Sequence, residues 1–449
     1  MLSRPQNLSQ MGFYSTFEEQ LNRKHPLYIL ANRINWQQFE DAFSPLYSEE
    51  GRPAKPIRLM VSLIILKHVR NISDESVVEQ WEENSYYQYF SGEKKFAMGP
   101  PCEASELVHF RKRIGQEGIE LIFRESIRIN GDDSNDPHVT TDTTVQEKNI
   151  TFPTDAKLHR RIIKKCQQIS EAAQLPVRQS YTQTLKRLGV DQRFRNHPRN
   201  KHKARKADRK VKTIAGRLVR ELERNLPPGS VYQNAIEVFH RVLNQQKSDH
   251  HKIYSLHEPE VQCISKGKEH KKYEFGNKVS ITYTQNTGVI VGARSFRNEY
   301  DGHTLKPALE QVAKLTGKWP HTATADRGYR GQRQIGPTAI QIPKPFSDKT
   351  QTKYQQQKLR KAFKRRAAVE PVIGHLKSDH RLSRNFYWRI FGDDINVMLS
   401  ASGFNFKRMM NKWKKDPLNF LAIFFRAIFG FILAQVPGLF LPKTPKLVF

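Results

Sequence analysis

A single acid, Glu370, stands inside a strongly basic stretch at residues 361–384, KAFKRRAAVEPVIGHLKSDHRLSR. An α-helix has about 3.6 residues per turn, so spacings of three, seven and fourteen keep side chains on one face. The residues with this spacing are Phe363, Arg366, Glu370 and Lys377, on a long helix predicted over residues 353–377 that we expect Pro371 to kink. A carboxylate flanked by cations suits a metal ion held on phosphate, because the acid binds the ion and the cations hold the nucleic-acid backbone. A solvated basic helix with one incidental acid is the alternative interpretation.

Two aspartates lie in short segments that predict buried strands. Asp142 lies within HVTTDTTV at residues 138–145, and Asp326 ends HTATAD at residues 321–326, two residues before a glycine. An acid in a buried strand is unfavourable unless it is paired or coordinates a cation, and the carboxyl end of a strand is a favourable ligand position. The alternatives are an aspartate on the solvent face of an edge strand at position 142 and a turn-capping aspartate at position 326.

The composition indicates a polyanionic partner. The chain has 449 residues with 75 Lys and Arg against 44 Asp and Glu, a formal net charge of +31. Such a surplus favours nucleic acid first and an anionic membrane surface second, and we expect no small-molecule substrate. Cysteines at positions 102, 166 and 263 are far apart and lack a metal-binding spacing, which favours a reducing cytoplasm.

The order of patterns predicts four regions in an α/β protein. Residues 1–135 are predicted to form an all-α domain for DNA binding or multimerisation, in which an apolar helix, a turn and a second helix are typical of a helix-turn-helix. Residues 136–155 and 254–400 are predicted to form the α/β catalytic part, because they contain strands and a hairpin. A basic helical insertion is predicted at 156–253, and a basic, then apolar tail at 401–449.

Further cations are candidates for contacts with DNA phosphates. Two are expected to be exposed at the end of a helix predicted through LVHFRKRIG, and three lie in the basic run at residues 193–212. Each phosphate contact would add to the salt dependence of binding, although a solvated basic face would have the same composition. These candidates are Arg111, Arg113, Arg205, Lys206 and Arg209.

An apolar segment near the end of the sequence, residues 418–441, is nearly long enough to cross a bilayer. Arg426, Gln435 and Pro437 argue against a clean span. We therefore expect a packing or oligomerisation helix, with membrane attachment as the alternative.

Taken together, these motifs resemble the DDE transposases of bacterial insertion sequences, in particular the insertion-sequence-five type. The basic stretch is similar to the family signature Tyr-(2)-Arg-(3)-Glu-(6)-Lys, with Phe363 in place of the tyrosine. TTDTT around Asp142 and ADRGY around Asp326 resemble the segments that carry the other two acids. PPCEASELVHFRKR, NEYDGHTLKPAL and LSASGFNFKRMMNKW are also similar to the family, and Asp301 in the second of these is expected to begin or cap the helix that follows it.

The resemblance implies a ribonuclease H-like catalytic core, which is a mixed sheet with flanking helices, interrupted by the helical insertion and preceded by the all-α domain. In that fold the first two acids lie on adjacent strands and the third on a covering helix. The resemblance implies that Asp142 bridges two Mg²⁺ ions, for which Mn²⁺ can substitute, while Asp326 and Glu370 each hold one.

The same resemblance implies a homodimer or larger homo-oligomer, associated with the nucleoid of a bacterial cytoplasm. Its substrate would be double-stranded DNA, with cleavage at the inverted-repeat ends of its own element and joining of the 3′-OH ends to target DNA. Arg366 and Lys377 would grip the phosphate backbone, and Phe363 would pack beside the strand. A DNA-binding relic without catalysis and a metal-dependent nuclease without joining are the alternatives.

Overall fold

The computed structural model describes residues 15–48, 50–51, 53–265, 272–329, 331, 333–342 and 352–415, with backbone alone at 358–359, 361–363, 365 and 415. The expectations for the side chain of Phe363 and for the apolar residues 418–441 therefore lie outside the described residues.

The helices before the first strand are α1 (Phe17–Gln20), α2 (Pro26–Arg33), α3 (Gln37–Phe43), α4 (Ile57–Arg70), α5 (Asp74–Glu83), α6 (Ser85–Phe90) and α7 (Ala104–Ile129). The later helices are α8 (Asp155–Ala172), α9 (Thr182–Asp191), α10 (Pro198–Asn225), α11 (Gln233–Asn244), α12 (Asp301–Thr316), α13 (Lys353–Arg366), α14 (Val369–Asp379) and α15 (Arg389–Lys415). The strands are β1 (His138–Lys148), β2 (Gln262–Ile264), β3 (Glu274–Thr284), β4 (Ile290–Phe296), β5 (Thr322–Thr324), β6 (Gln334–Ile335), β7 (Thr338–Gln341) and β8 (Arg384–Asn385).

The helices α4 and α5 form the predicted helix, turn and helix. Asn71 ends α4 with a φ of 60°, and the hydroxyl of Ser73 accepts a hydrogen bond from the Ser76 N–H at 3.1 Å, which caps α5. Helix α4 is buried at nearly every position. The exposed acids of α5, Glu75, Glu79, Glu82 and Glu83, would repel a phosphate backbone, so this pair does not have the charge of a DNA-reading motif.

A mixed sheet forms the centre of the molecule, in the order β2-β3-β1-β5-β7-β6, with β4 also on β3 and β8 on β1. Strand β1 runs antiparallel to β3 and parallel to β5. At Gly276 of β3, a Cβ would lie 1.9 Å from the Gln146 carbonyl oxygen, so only glycine allows the two backbones to approach. The expected mixed sheet with flanking helices is confirmed.

One hydrophobic core joins the N-terminal helices to the sheet, and α15 lies within it against α7, α4 and β4. Gly403 allows the close approach to α4, since a Cβ there would lie 2.8 Å from the His68 carbonyl oxygen. The Asn405 amide exchanges hydrogen bonds with the backbone of Ile290 at 3.0 and 2.8 Å. The predicted boundary at residue 401 is therefore wrong, because residues 401–415 continue a packed helix.

The insertion has a hydrophobic cluster of its own, which α8, α9, α10 and α11 share. Helix α8 begins at Asp155 and is capped by the Thr154 hydroxyl, which accepts from the Lys157 N–H at 3.4 Å. The insertion predicted at residues 156–253 contains α8, which begins one residue earlier, and α9, α10 and α11. Across the described ranges of the chain, no helix is long and apolar enough to span a membrane.

The predicted long helix around Glu370 is two helices, α13 and α14, separated at Ala367 and Ala368. Pro371 explains the break, because proline has no N–H for the preceding turn and its ring clashes with the carbonyl of residue i−4. Within α14 itself, Pro371 lies in the first turn, where backbone N–H groups have no carbonyl partner in the helix. Its missing N–H therefore removes no hydrogen bond from α14. The single helical face predicted from Arg366 to Lys377 is therefore wrong across this break.

Candidate active site

The pairing of β1 with β5 places two acids side by side. Thr140 pairs with Thr324 in the parallel register, and Asp142 and Asp326 each follow two residues later. Because side chains alternate along a strand, Asp142 lies on the same face of β1 as Thr140, and Asp326 lies two residues beyond the end of β5. The side chain of Asp142 is 17% exposed and that of Asp326 is 36% exposed, so both line an accessible edge of the sheet.

The guanidinium of Arg366, the last residue of α13, bridges these two carboxylates. Its Nη2 lies 3.7 Å from Oδ2 of Asp142 and 3.8 Å from Oδ2 of Asp326. The Nε of the same side chain is buried and has no hydrogen-bond partner within the described residues. One cationic group therefore faces both acids at ion-pair distance.

Glu370 and Lys377 lie on α14, beyond the helix break. Glu370 is exposed in the first turn, where the helix dipole favours a negative charge. Lys377 lies in the last turn and is half-buried. Four residues span at most about 14 Å, so Glu370 is within a short chain distance of the bridging Arg366. Among the described residues, no group of three acids, histidines or cysteines stands close enough to hold a metal ion. Glu370 therefore does not form a three-residue metal-binding group with the two aspartates in this structure.

The sequence prediction missed a further acid, Asp301, and assigned it only to the start of a helix. It does begin α12, but its Oδ1 also lies 3.0 Å from Nζ of Lys278 and accepts a hydrogen bond from the Thr143 hydroxyl at 3.1 Å. A Cβ on Gly328 would lie 2.9 Å from Oδ1 of Asp326 and 3.2 Å from Oδ2 of Asp301. Gly328 therefore separates two acids. The NEYDGHTLKPAL segment contains Asp301, but the sequence alone did not show that this acid contacts Lys278 or lies beside Asp326.

Tyr329 is buried beside the acids. Its hydroxyl has no partner in hydrogen-bond geometry within the described residues. Burial raises the pKa of Tyr329 well above its usual value, and the negative charges of Asp301, Asp142 and Asp326 add to the increase. The phenol therefore stays protonated and neutral next to the carboxylates.

The two paired aspartates fit a divalent cation. They supply carboxylate oxygens, the ligands that Mg²⁺ prefers, and they already stand close enough for one positive group to face both. Asp142 and Asp326 would hold the ion.

Comparison with known proteins identifies two matching families. Residues 15–113 match the family described as Transposase domain (DUF772), and residues 248–391 match the Transposase DDE domain. An uncharacterized protein, ORF8 in the nfe locus of Rhizobium meliloti, is 37% identical over 202 residues, which cover 44% of this chain and 98% of that protein. No solved structure matches the chain.

The chain belongs to the DDE transposases of insertion sequences. The matched DDE region contains Asp326, Arg366 and Glu370, whereas Asp142 precedes it and joins it through the pairing of β1 with β5. Transposases of this family bind DNA and generally use divalent metal ions.

In this transposase, Arg111 is not on the surface, so the expectation that it is exposed is wrong. Its guanidinium donates to both carboxylate oxygens of Asp74 at 2.8 and 2.7 Å and lies 4.8 Å from the ring centroid of Tyr387. Arg111 is held inside because it neutralises Asp74, a largely buried acid of another helix, α5. Arg111 is therefore not available to DNA in this arrangement.

Four of the other predicted DNA contacts of the transposase are on the surface. Arg113 is exposed and lies 4.2 Å from the ring centroid of Tyr47. Arg205, Lys206 and Arg209 are exposed on α10, whose apolar side packs into the core of the insertion. Their accessibility is compatible with phosphate contacts.

Proposed function

We propose that this transposase cleaves the inverted-repeat ends of its own insertion sequence and joins the 3′-OH ends to target DNA, as a member of the insertion-sequence-five type. The observation that carries the proposal is the bridging of Asp142 and Asp326 by one cation, Arg366, at the edge of neighbouring parallel strands. Strand adjacency of the first two acids also supports a ribonuclease H-like core.

Asp142, Asp326 and Glu370 are the proposed catalytic carboxylates, with Mg²⁺ or Mn²⁺ as the ions. When bound, two such ions would activate the attacking oxygen and stabilise the leaving oxygen of the phosphodiester. Glu370 would complete the set after a local adjustment at Ala367 and Ala368, where two hydrogen bonds of 3.3 Å hold the turn.

Arg366 and Lys377 would hold the DNA backbone beside these acids. A bound cation would neutralise the aspartates in place of the guanidinium, which leaves Arg366 free to contact a phosphate. Arg113, Arg205, Lys206 and Arg209 would add contacts farther along a duplex, and the enzyme would act as a homodimer or larger oligomer.

The test uses purified protein and a labelled duplex that carries the inverted repeats flanking the gene, with Mg²⁺ present. We expect cleaved strands and joined products with the wild type. Asp142→Asn, Asp326→Asn and Glu370→Gln should lose both products while retaining metal-free DNA binding. Glu310→Gln, at an exposed acid on α12, is the matched control and should remain active.

Other results would identify the alternatives. Binding without any cleavage by the wild type would indicate a relic, and cleavage without a joined product would indicate a nuclease. Full activity of Glu370→Gln would remove Glu370 from the proposed site.

A further inference from the structure

A large basic cleft is lined by helices α8 and α11 of the insertion and by residues beyond it, among them Gln262 of β2, Arg297 and Arg389. Its volume is about 1140 Å³. Helix α8 contributes Arg161, Lys164 and Lys165, which fall on one helical face at i, i+3 and i+4. Helix α11 contributes Arg241, and the facing wall contributes Arg297. None of these cations belongs to the catalytic edge or to the exposed face of α10.

The acids of the cleft are already neutralised. Glu258 lies 3.7 Å from Nζ of Lys148, and Glu260 lies 3.6 Å from the guanidinium of Arg297. Lys164 and Lys165 are exposed, and among the described residues no acid forms an ion pair with either. The cleft therefore has a surplus of positive charge that is available to an anionic partner.

A buried polar network fixes the position of the cleft relative to the catalytic edge. Lys148, at the end of β1, lies 2.8 Å from Oδ1 of Asp393 and donates to the carbonyl oxygen of Arg389 at 3.1 Å. Glu258 accepts a hydrogen bond from the Arg389 N–H at 2.9 Å. The floor of the cleft is thus attached to the strand that carries Asp142.

The strand sets the distance between Asp142 and Lys148, whose partners Glu258 and Arg389 line the cleft. Asp142 and Lys148 are separated by six positions of β1, and a strand rises about 3.3 Å per residue, so the separation is about 20 Å. Phosphates of one DNA strand advance by about 3.4 Å per base pair, so this distance corresponds to about six base pairs of duplex.

We propose that the basic cleft binds the DNA backbone about six base pairs from the bond that is cut. This proposal rests on the proposed function for the location of the cut, and it adds a binding surface, formed by α8, α11 and the sheet, to that function. The chemistry is that of lysine and arginine with phosphate, so the contact would be independent of sequence and weakened by salt.

The decisive variant is Lys164→Glu/Lys165→Glu in the full-length protein. Its affinity for a terminal-repeat duplex should fall roughly ten- to a hundredfold without Mg²⁺, and its salt slope should fall by about two. The matched control is Lys186→Glu/Arg187→Glu, an adjacent exposed pair on α9 that does not line the cleft, and it should lose much less. Thermal unfolding and Lys164→Gln/Lys165→Gln, which should have an intermediate effect, exclude misfolding as the cause.

The length of the DNA duplex tests where along the DNA the basic cleft makes its contact. With duplexes trimmed to about four base pairs on each side of the repeat end, wild type and Lys164→Glu/Lys165→Glu should bind equally, because the DNA no longer reaches the cleft. Unchanged affinity of this variant for the long duplex, an equal loss in the control pair, or a defect that persists on trimmed DNA would each overturn the proposal. Binding is measured without Mg²⁺ and does not depend on cleavage. If the wild type fails to cleave DNA but Lys164→Glu/Lys165→Glu still binds more weakly than it, the cleft proposal stands and only the catalytic proposal is refuted.

Discussion

Asp74 and Arg111 are joined by two parallel hydrogen bonds, from Nη1 to Oδ1 at 2.8 Å and from Nη2 to Oδ2 at 2.7 Å. Lys67 adds a third contact, with Nζ 3.0 Å from Oδ1 of the same acid. Arg111 and Lys67 are buried, and the Asp74 side chain is largely so. This cluster links α4, α5 and α7, so we expect Arg111 to stabilise the N-terminal helices.

Replacing Arg111 with alanine should lower the free energy of unfolding by about 3 kcal/mol, because a mostly buried carboxylate loses its two-pronged partner. Lys67 would still pair with Asp74, so we expect the loss of stability to lie at the low end of the range for broken buried ion pairs. Denaturant titration measures the change. Arg113→Ala, two residues away and exposed, should change stability by only about 0.5 kcal/mol. Equal effects of the two substitutions would contradict the structural role.

His68 should make the protein less stable in mild acid. Burial, and then the charges of Lys67, Arg381 and Arg111, hold the pKa of His68 well below its ordinary value of 6.5. The unfolded chain takes up a proton near that ordinary value and the folded chain does not, so the free energy of unfolding falls as the pH drops below 6.5.

The measurement is the melting temperature of the wild type and of His68→Gln between about pH 7.5 and about pH 5.5. The variant should lose less stability over this interval, since it lacks the titrating ring. Burial also lowers the pKa of His380, which contacts the His68 carbonyl oxygen, so part of the slope should remain. Identical slopes for the two proteins would exclude His68 as a source.

Gly328→Ala should reduce the rate of DNA cleavage roughly tenfold or more, because small displacements of catalytic groups have large effects. The added methyl group would lie 2.9 Å from Oδ1 of Asp326, which has to move. Gly374→Ala on α14 is the control, because a Cβ there meets nothing within 4 Å. Cleavage assays with Mg²⁺ compare the two, and equal rates would show that Asp326 tolerates the crowding.

Asp301 and Lys278 should act as one unit that positions the Asp326 turn. Asp301→Asn and Lys278→Met should each reduce cleavage, and the double variant should be no worse than the single ones, since each change breaks the same contact. Rates and melting temperatures measured together complete the cycle. Fully additive losses would mean that the two residues act independently.

Arg366→Met should make the protein more responsive to metal. Without the guanidinium, Asp142 and Asp326 repel each other, so the metal-free melting temperature should fall and Mg²⁺ should raise it by more than in the wild type. Lys364→Met, at an exposed position of the same helix, is the control. An unchanged response to Mg²⁺ in Arg366→Met would separate Arg366 from the metal-binding acids.

Local patterns predicted the strand that carries Asp142 and the strand that precedes Asp326, because β-branched runs and turn residues act over a few positions. They did not predict the contacts made across long separations. Arg111 was expected at the surface because nothing near it in sequence indicates its partner, and Asp301 was treated as a helix start because Lys278 lies on a different element. The helix break before Glu370 was underestimated, since Pro371 ends the preceding helix completely.

The insertion between β1 and its antiparallel partner β3 has a consequence for the newborn chain on the ribosome. Residues 149–273 must be translated before β3 begins to emerge, which takes between roughly 6 and 25 s at typical rates of synthesis. During this interval β1 has no sheet to join, while the insertion can already assemble its separate core. Strand β1 therefore completes its pairing with β3 and β5 only after residue 324 of the 449 has been translated, so a product truncated before that point would lack the pair of strands that brings Asp142 beside Asp326.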